Sequence, residues 1–363
     1  MSHPRFKFTK IALALLALTL IISVFGLLFV FEASTAESYL LVGHPYHFVS
    51  NQSWWLLLGF CLMMTVIFLP LKIWRHLAVP IYILSLLLLV LVFVPGIGRE
   101  FNGARRWFDF FGITLVQPVE IAKLALILFF ASWMSKEPKL GPFLFLTLLP
   151  VTLLLLQPDL GSALVLICIA FALFFLAGAK IWQILGVGII GIMAIMLVII
   201  FSPYRRQRLM TYLNPSADPL GAGFHSRQIT LALGRGALWG QGLGQSAQKY
   251  KYIPEASSDS IMAIVAEELG FIGSSVIIIL YLIYFLLMLK VVARQRENKF
   301  NYLLAAGILF WFASQTILNL SAIVALLPLT GIPLPLFSYG GSSLLMLLLG
   351  TGIMIKISCI NKK

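Results

Sequence analysis

The sequence predicts an all-α, polytopic membrane protein with about ten transmembrane helices, and three observations lead to this prediction. Of the 363 residues, 60% are hydrophobic and only 11% are charged, whereas a soluble domain has roughly 45–50% apolar and about 25% charged residues. The mean hydropathy is +0.99. The apolar runs are continuous rather than alternating, which excludes a transmembrane β-barrel. The same composition excludes a soluble globular enzyme, a disordered chain and a collagen.

Ten apolar runs account for the predicted helices, since a spanning helix needs about 20 apolar residues. Their approximate bounds are 11–31, 54–71, 77–95, 119–134, 142–157, 161–178, 184–202, 261–289, 302–327 and 343–358. The first run is longer than the core of a signal peptide, which has about 7–15 residues, so a retained helix is favoured over a leader. Together the runs predict one membrane domain over residues 1–363, with a long outer loop at about 203–260 between helices 7 and 8.

The distribution of charge predicts the orientation of the chain. Ten spans place both termini on one side, and that side carries 15 of the 26 Lys and Arg residues but only two acidic residues, Glu137 and Glu297. The positive-inside rule therefore assigns both termini to the cytoplasm. The other side holds eleven basic and eleven acidic residues, which fits either a solvated loop surface or a polar outer site for an anionic substrate. We interpret the net charge of +13 first as membrane topology, with an anionic ligand as the alternative contribution, and expect no nucleic-acid partner.

Cysteine and histidine usage predicts neither a disulfide framework nor a metal site built from histidines. Cys61, Cys168 and Cys359 lie in or beside apolar runs, and their spacing matches neither a disulfide framework nor a zinc site. The five histidines contain only one loose pair, His44 and His47.

The first group of candidate substrate-binding residues follows the third run. Arg105 and Arg106 precede Trp107; guanidinium groups bind phosphate bidentately, and Trp can stack on a sugar face. The alternative is an interfacial Trp beside arginines that reach lipid phosphates. Glu120 and Lys123, three residues apart on one helix face, can pair, either at a binding site or as structural charge compensation.

A second group lies at breaks between later runs. Asp159, in Q-P-D-L-G, is either a substrate ligand or the N-cap of the next helix. Ser338 and Tyr339, in a Pro- and Gly-rich break before the last run, either offer hydroxyls to a ligand or satisfy backbone groups where the helix is broken.

The long outer loop holds the densest group of candidates. Arg205, Gln248, Lys249 and Glu255 are candidate substrate-binding residues. The run G-R-G-A-L-W-G-Q-G-L-G, residues 234–244, either lets backbone N–H groups approach an anion or forms an irregular loop. It lacks the G-K-[ST] sequence of a nucleotide-binding loop.

Asp259 is the candidate catalytic residue. It lies at the start of the eighth apolar run, on the predicted outer side. A carboxylate in this place suits a general base that faces a sugar hydroxyl. The alternative is that Asp259 is the N-cap of the helix.

Seven motifs occur in a fixed order along the chain. They are N-G-A-R-R-W, Q-P-V-E-I-A-K-L, Q-P-D-L-G, Y-R-R-Q-R followed by Y-L-N-P, G-Q-G-L-G-Q-S-A-Q-K, I-P-E-A-S-S-D and P-L-P-L-F-S-Y-G-G-S-S. Their combination resembles the SEDS family (shape, elongation, division and sporulation proteins, which include FtsW, RodA and SpoVE) over about residues 11–358. N-G-A-R-R-W is more similar to the FtsW, cell-division branch than to the RodA, elongation branch.

The resemblance implies a ten-helix protein of the bacterial cytoplasmic (inner) membrane that polymerises lipid II, the undecaprenyl-pyrophosphate-linked disaccharide peptide, into glycan strands. It also implies a class B penicillin-binding protein transpeptidase and other division proteins as partners. By motif, Asp259 matches the family's essential aspartate, Trp107 its functional tryptophan, and Glu120 and Lys123 its cavity residues. A divalent cation, Mg²⁺ or Mn²⁺, could share the pyrophosphate charge, although nothing in the sequence establishes one.

The chain departs from the family pattern beside the aspartate and the glutamate. Family members usually have His-Thr before the aspartate and Phe after it, where this chain has Ser257, Ser258 and Ser260. Val119 stands where a Ser usually precedes the glutamate. The competing functions are a lipid II flippase or transporter, which would need ionisable groups spread through the bilayer midplane, and a non-catalytic scaffold for division proteins.

Overall fold

The computed structural model describes residues 8–101, 104–110, 113–135, 138–201, 203–214, 223–248, 253 and 255–360. Within these ranges the chain forms twelve α-helices and three short strands. The helices are α1 (Lys10–Val42), α2 (His47–Phe68), α3 (Leu71–Leu91), α4 (Pro118–Trp133), α5 (Leu140–Leu156), α6 (Leu160–Leu176), α7 (Ile181–Ile200), α8 (Pro203–Leu213), α9 (Phe224–Gly236), α10 (Ile261–Arg294), α11 (Lys299–Ile323) and α12 (Gly341–Ser358). The strands are β1 (Gly98–Phe101), β2 (Ala104–Phe110) and β3 (Ile113–Val116).

Ten of these helices overlap the ten apolar runs, which confirms the predicted all-α membrane fold. In the described part of the chain, six helices are long and apolar enough to cross a membrane, namely α1, α2, α3, α10, α11 and α12. α5, α6 and the first part of α7 are shorter apolar helices. α4 has 16 residues and carries Glu120 in its first turn.

Two helices, α11 and α12, form the centre of the bundle. α11 packs against α4, α6 and α10, and α12 packs against α1 and α2. Buried side chains occur on all sides of both central helices, whereas α2 and α3 leave many apolar side chains exposed. This arrangement suits a membrane, because the outward-facing apolar surface then meets lipid tails rather than water.

The segment between α3 and α4 forms a small antiparallel sheet, a feature that the sequence analysis does not predict. β1 pairs with β2, with Arg99 opposite Trp107, and β2 pairs with β3, with Phe108 opposite Val116. The aromatic and β-branched residues of this segment favour strands, and the dipeptide N-G between β1 and β2 in the sequence is typical of a hairpin turn. The sheet is short, so the fold class is unchanged.

The long segment 203–260 contains α8, α9 and then a glycine-rich stretch that packs against α10. α10 is kinked at Gly270, where φ is 67°. A Cβ on Gly270 would lie 2.3 Å from the backbone N of Gly240, and a Cβ on Gly240 would lie 2.1 Å from the carbonyl oxygen of Glu268. The absence of side chains lets Gly242 N–H donate to the same carbonyl at 3.0 Å. These glycines therefore join the loop to the kink by direct backbone packing.

Candidate functional site

Asp259 lies in the turn that leads into α10, and groups from other elements surround it. Its carbonyl oxygen accepts a hydrogen bond from Asn319 Nδ2 at 2.7 Å. Its side-chain Oδ1 accepts a hydrogen bond from Ser260 Oγ at 3.3 Å, and its Oδ2 lies 3.9 Å from the position of a Cβ on Gly331. The N-cap position of α10 is occupied by Ser260 rather than by Asp259. The half-buried carboxylate is therefore placed between the start of α10 and the segment that joins α11 to α12.

Glu120 and Lys123 form an ion pair inside the bundle. Lys123 Nζ donates to Glu120 Oε1 at 2.7 Å, and the side chains are 1% and 2% exposed. Lys123 Nζ also lies 6.0 Å from the centre of the Trp311 ring, within reach of a cation–π interaction. The second carboxylate oxygen, Glu120 Oε2, has no hydrogen-bond partner among the described residues. A buried acceptor in this condition is a place where an ordered water or a ligand group binds.

Two amide side chains of α11 connect the ion pair to Asp259. Gln315 Oε1 accepts from Lys123 Nζ at 3.4 Å, and Gln315 Nε2 donates to the carbonyl of Pro333 at 3.0 Å. One helical turn later, Asn319 Nδ2 donates to the carbonyl of Ile332 at 2.8 Å as well as to Asp259. Residues four apart share a helix face. One face of α11 therefore contacts the buried pair, the segment that joins α11 to α12, and the turn of residues 255–260 that contains Asp259 (the Asp259 turn).

The α11–α12 segment, residues 324–340, is also anchored at Ser338 and Tyr339. Ser338 Oγ accepts from Leu334 N at 2.9 Å, and Tyr339 N donates to the carbonyl of Ser257, in the Asp259 turn, at 2.8 Å. Gln52 of α2 donates to the carbonyl of Ser338 at 3.1 Å. The structure therefore brings both predicted residues next to the Asp259 turn, and their described bonds satisfy irregular backbone, as such a break in a membrane protein requires.

The phenol of Tyr339 is neutral in this setting. Burial raises the pKa of the Tyr339 hydroxyl, the negative charge of Glu37 raises it further, and a hydrogen bond with Asn51 lowers it. The ring packs edge-on against Phe48, with 5.0 Å between ring centres. Tyr339 can therefore offer a hydroxyl but not a charge at ordinary pH.

The sheet separates the two adjacent arginines. On β2, Arg105 pairs with Glu100, its cross-strand neighbour on β1, at 3.2 Å on the exposed surface. Arg106 instead donates to the backbone carbonyl of Gln157 at 3.2 Å and to that of Pro158. Trp107, on the same strand, is half-buried. The two guanidinium groups are thus used separately within the protein.

Asp159 lies in the segment that Arg106 holds. Its Oδ1 accepts from Ser162 N at 3.1 Å, so the buried carboxylate is the N-cap of α6. Two residues later, a Cβ on Gly161 would lie 2.5 Å from the carbonyl oxygen of Thr330. The Pro-Asp-Leu-Gly turn therefore packs directly against the α11–α12 segment.

The remaining candidates lie farther along the 203–260 segment. Gln248 is buried, and its backbone N donates to Glu267 Oε2 at 3.3 Å. Glu255 is exposed and accepts from Ser258 Oγ at 2.9 Å, in the same turn as Asp259. Arg205 lies on α8, and Lys249 lies outside the described residues.

Four residues that hold this site are absent from the sequence-based candidates: Gln52, Gln315, Asn319 and His225. The first three are amide side chains inside apolar helices, and a polar residue at membrane depth is itself a signal of function. His225, on α9, lies with Nε2 2.8 Å from Ser260 Oγ. No spacing rule could connect it to a serine 35 residues away.

The described residues contain no group of three or more His, Cys, Asp or Glu side chains that could hold a metal ion.

Comparison with known proteins places this geometry in a family. A family model for the FtsW, RodA and SpoVE proteins, described as "Cell cycle protein", matches residues 12–363. The chain is 38% identical over 366 residues to the probable peptidoglycan glycosyltransferase FtsW of Idiomarina loihiensis, with 98% of this chain and 87% of that protein covered.

Two solved structures extend the comparison to the fold. One is a chain from a study of the structural coordination of polymerization and crosslinking by a peptidoglycan synthase complex, with a TM-score of 0.78, 32% identity and coverage of 95% of this chain and 97% of that chain. The other is the rod shape determining protein RodA of Thermus thermophilus, with a TM-score of 0.71, 29% identity and coverage of 98% and 97%. The motifs, the fold and these similarities agree, and the chain belongs to the FtsW/RodA/SpoVE family of membrane proteins.

Proposed function

We propose that this protein is a peptidoglycan glycosyltransferase that polymerises lipid II into glycan strands during bacterial cell division. The observation that carries the proposal is the place of Asp259 at the head of α10, where its backbone carbonyl is joined through one face of α11 to the buried Glu120–Lys123 pair. The near full-length similarity to proteins named as probable peptidoglycan glycosyltransferases supports the same activity.

In the proposed reaction Asp259 is the general base. The donor is a growing glycan on undecaprenyl pyrophosphate, and the acceptor is the sugar of a second lipid II. Asp259 takes the proton from the acceptor 4-hydroxyl as that oxygen attacks C1 of the donor. The bond from C1 to the pyrophosphate oxygen breaks, and undecaprenyl pyrophosphate leaves with the bonding electrons. Attack opposite the leaving group inverts the α-linked donor to a β-1,4 bond.

Lys123 is the proposed electrostatic partner of the leaving group. Its ammonium is buried and pairs with Glu120 Oε1 at 2.7 Å, and a cation in such a dry setting stabilises a developing negative charge strongly. Arg105 and Arg106 are proposed to share this role; Glu100 binds the first, and two backbone carbonyls accept from the second.

The proposed location is the bacterial inner membrane, with both termini in the cytoplasm and the Asp259 end of the bundle outside. The excess of Lys and Arg on the other side supports this orientation. We propose a class B penicillin-binding protein as the partner, in keeping with the similarity to a chain of a peptidoglycan synthase complex, and other division proteins as further contacts.

The test is polymerisation of labelled lipid II by the purified full-length protein, with and without a cognate class B penicillin-binding protein, read as glycan strands on gels. Asp259→Asn keeps the size of the side chain and the carbonyl that Asn319 binds, and we expect it to lower the rate about 10²–10⁴-fold, as loss of a general base does. Glu297→Gln is the matched control, because it removes an exposed carboxylate outside the site and should leave the rate unchanged.

Three results would overturn the proposal in different ways. If Asp259→Asn polymerises lipid II as fast as the wild type, Asp259 is not the base. If the wild type makes no glycan but moves lipid II across the bilayer of reconstituted liposomes, the protein is a transporter. If it does neither, and substitutions of Asp259 and Trp107 leave cell division intact, the protein is a scaffold.

A further inference from the structure

A hydrogen-bonded chain of three side chains reaches Asp259 from the 203–260 segment. His225 Nε2, on the first turn of α9, lies 2.8 Å from Ser260 Oγ, and Ser260 Oγ donates to Asp259 Oδ1 at 3.3 Å. Ser260 is fully buried, while His225 and Asp259 are half-buried. The chain therefore runs from α9 through the interior to the carboxylate.

The side chain of Ser260, the middle residue of this chain, does not cap α10. Ser260 occupies the N-cap position of α10, yet its side chain makes no capping hydrogen bond. A serine at an N-cap ordinarily accepts from a backbone N–H of the first turn, which stabilises the helix by about 1 kcal/mol. Here the hydroxyl is turned towards the histidine and the aspartate instead, so its orientation is set by those two side chains.

The direction of the proton donors follows from chemistry. An ionised carboxylate only accepts hydrogen bonds, and a hydroxyl has a single proton. The proton of Ser260 is therefore used on Asp259 Oδ1, and His225 Nε2–H must donate to the serine oxygen. Both the imidazolium and the neutral tautomer that carries its proton on Nε2 can do this.

We propose that His225 is a positioning residue for the carboxylate of Asp259, acting through the hydroxyl of Ser260; this rests on the proposed role of Asp259 as the base. Asn319 fixes the backbone of Asp259, and the His225–Ser260 pair fixes one oxygen of the side chain. The rotation of the carboxylate about its side-chain bonds is then restricted, with Oδ2 on the side of Gly331. Catalysis benefits because a base must lie within hydrogen-bond reach of the proton that it abstracts.

A positioning residue such as His225 should affect kinetics differently from a residue that contacts substrate. Its loss should lower kcat, since the carboxylate is oriented correctly less often, and should leave KM for lipid II unchanged. Loss of one hydrogen bond of ordinary strength corresponds to a fall in kcat of about three- to tenfold.

The experiment measures kcat and KM for lipid II polymerisation by the full-length protein with four substitutions. His225→Leu removes the donor, and His225→Gln keeps an N–H donor at about the position of Nε2. Ser260→Ala removes the relaying hydroxyl and is also combined with His225→Leu. Ser226→Ala, at the next residue of α9, is the matched control. Thermal unfolding of each variant in detergent shows that the fold is retained.

We expect His225→Leu and Ser260→Ala to lower kcat by similar factors, the double variant to fall no further than either, and His225→Gln and Ser226→Ala to stay within about twofold of the wild type. Full activity of His225→Leu, no rescue by His225→Gln, or multiplied losses in the double variant would each overturn the positioning role. Failure of the proposed function has a different signature, because the wild type itself would then make no glycan. If His225→Leu does not fold, Ser260→Ala together with His225→Gln still decides the question.

Discussion

Replacing Lys123 by methionine tests the buried ion pair most directly, because methionine has a similar length and no charge. The two side chains are 1% and 2% exposed, and Lys123 Nζ lies 2.7 Å from Glu120 Oε1. Removing one member of a buried pair leaves the other charge uncompensated and costs about 3–5 kcal/mol. Since the whole free energy of unfolding of a protein is about 5–15 kcal/mol, Lys123→Met should be severely destabilised.

The double variant Glu120→Gln/Lys123→Met separates stability from function. It removes both charges and keeps similar volumes, and such replacements are often close to neutral for stability. We therefore expect it to regain most of the free energy of unfolding lost in Lys123→Met. If Lys123 also stabilises the pyrophosphate leaving group, the double variant should polymerise lipid II at least about tenfold more slowly than the wild type even though it is folded.

The assay is an unfolding titration with SDS in mixed micelles, run beside lipid II polymerisation on the wild type, both single variants and the double variant. The reasoning about burial is refuted if Lys123→Met unfolds within about 0.5 kcal/mol of the wild type, the range of an ordinary surface substitution. Recovery of both stability and activity in the double variant would show that the pair is structural compensation alone.

Two further predictions concern stability. Gly240→Ala should lower the free energy of unfolding by at least about 3 kcal/mol, because φ is +80° and the new Cβ would lie 2.1 Å from the carbonyl oxygen of Glu268. The control Gly234→Ala, on α9 with nothing within 4 Å of the new Cβ, should be neutral or stabilising. Equal effects of the two substitutions in the same unfolding titration would contradict the close approach of Gly240 to α10. Arg106→Met should lower the free energy of unfolding by about 1–3 kcal/mol, since it leaves two partly buried carbonyls without a charged donor. Arg105→Met, which breaks an exposed pair, should lower it by less than about 0.5 kcal/mol; a larger loss for Arg105→Met would show that the sheet is held differently.

The helical bundle and the main charged residues of the site could be predicted from the sequence for one physical reason. In lipid every backbone N–H and C=O must be satisfied within its own segment, so a continuous apolar run forms a helix almost regardless of its neighbours. A charge inside such a run is costly, which is why Glu120 and Lys123 could be singled out without coordinates. Asp259 lies just before the 261–289 run and could be singled out by that position and by its motif.

The strands escaped prediction because their signals are short and local. The alternation and the N-G pair of the 98–116 segment are weak beside ten apolar runs, yet the strand geometry decides how Arg105 and Arg106 are used. Consecutive arginines look like one phosphate-binding pair in a sequence, but in the structure Arg105 pairs with Glu100, and Arg106 donates to the backbone carbonyls of Gln157 and Pro158. Whether the two arginines act together on one phosphate therefore depends on the structure of this segment, which the sequence alone does not give.

What the sequence determined by itself is therefore the membrane fold, the order of its spans and the few charges that had to serve a purpose there. Which groups are in contact follows only from the tertiary structure. Gln315 and Asn319 connect the ion pair to Asp259, and His225 is connected to Asp259 through Ser260. The glycines of the 234–244 run pack directly against the kink of α10. The reason is that periodicity and hydrophobicity are properties of neighbouring residues, whereas a hydrogen bond between side chains distant along the chain depends on how whole helices pack.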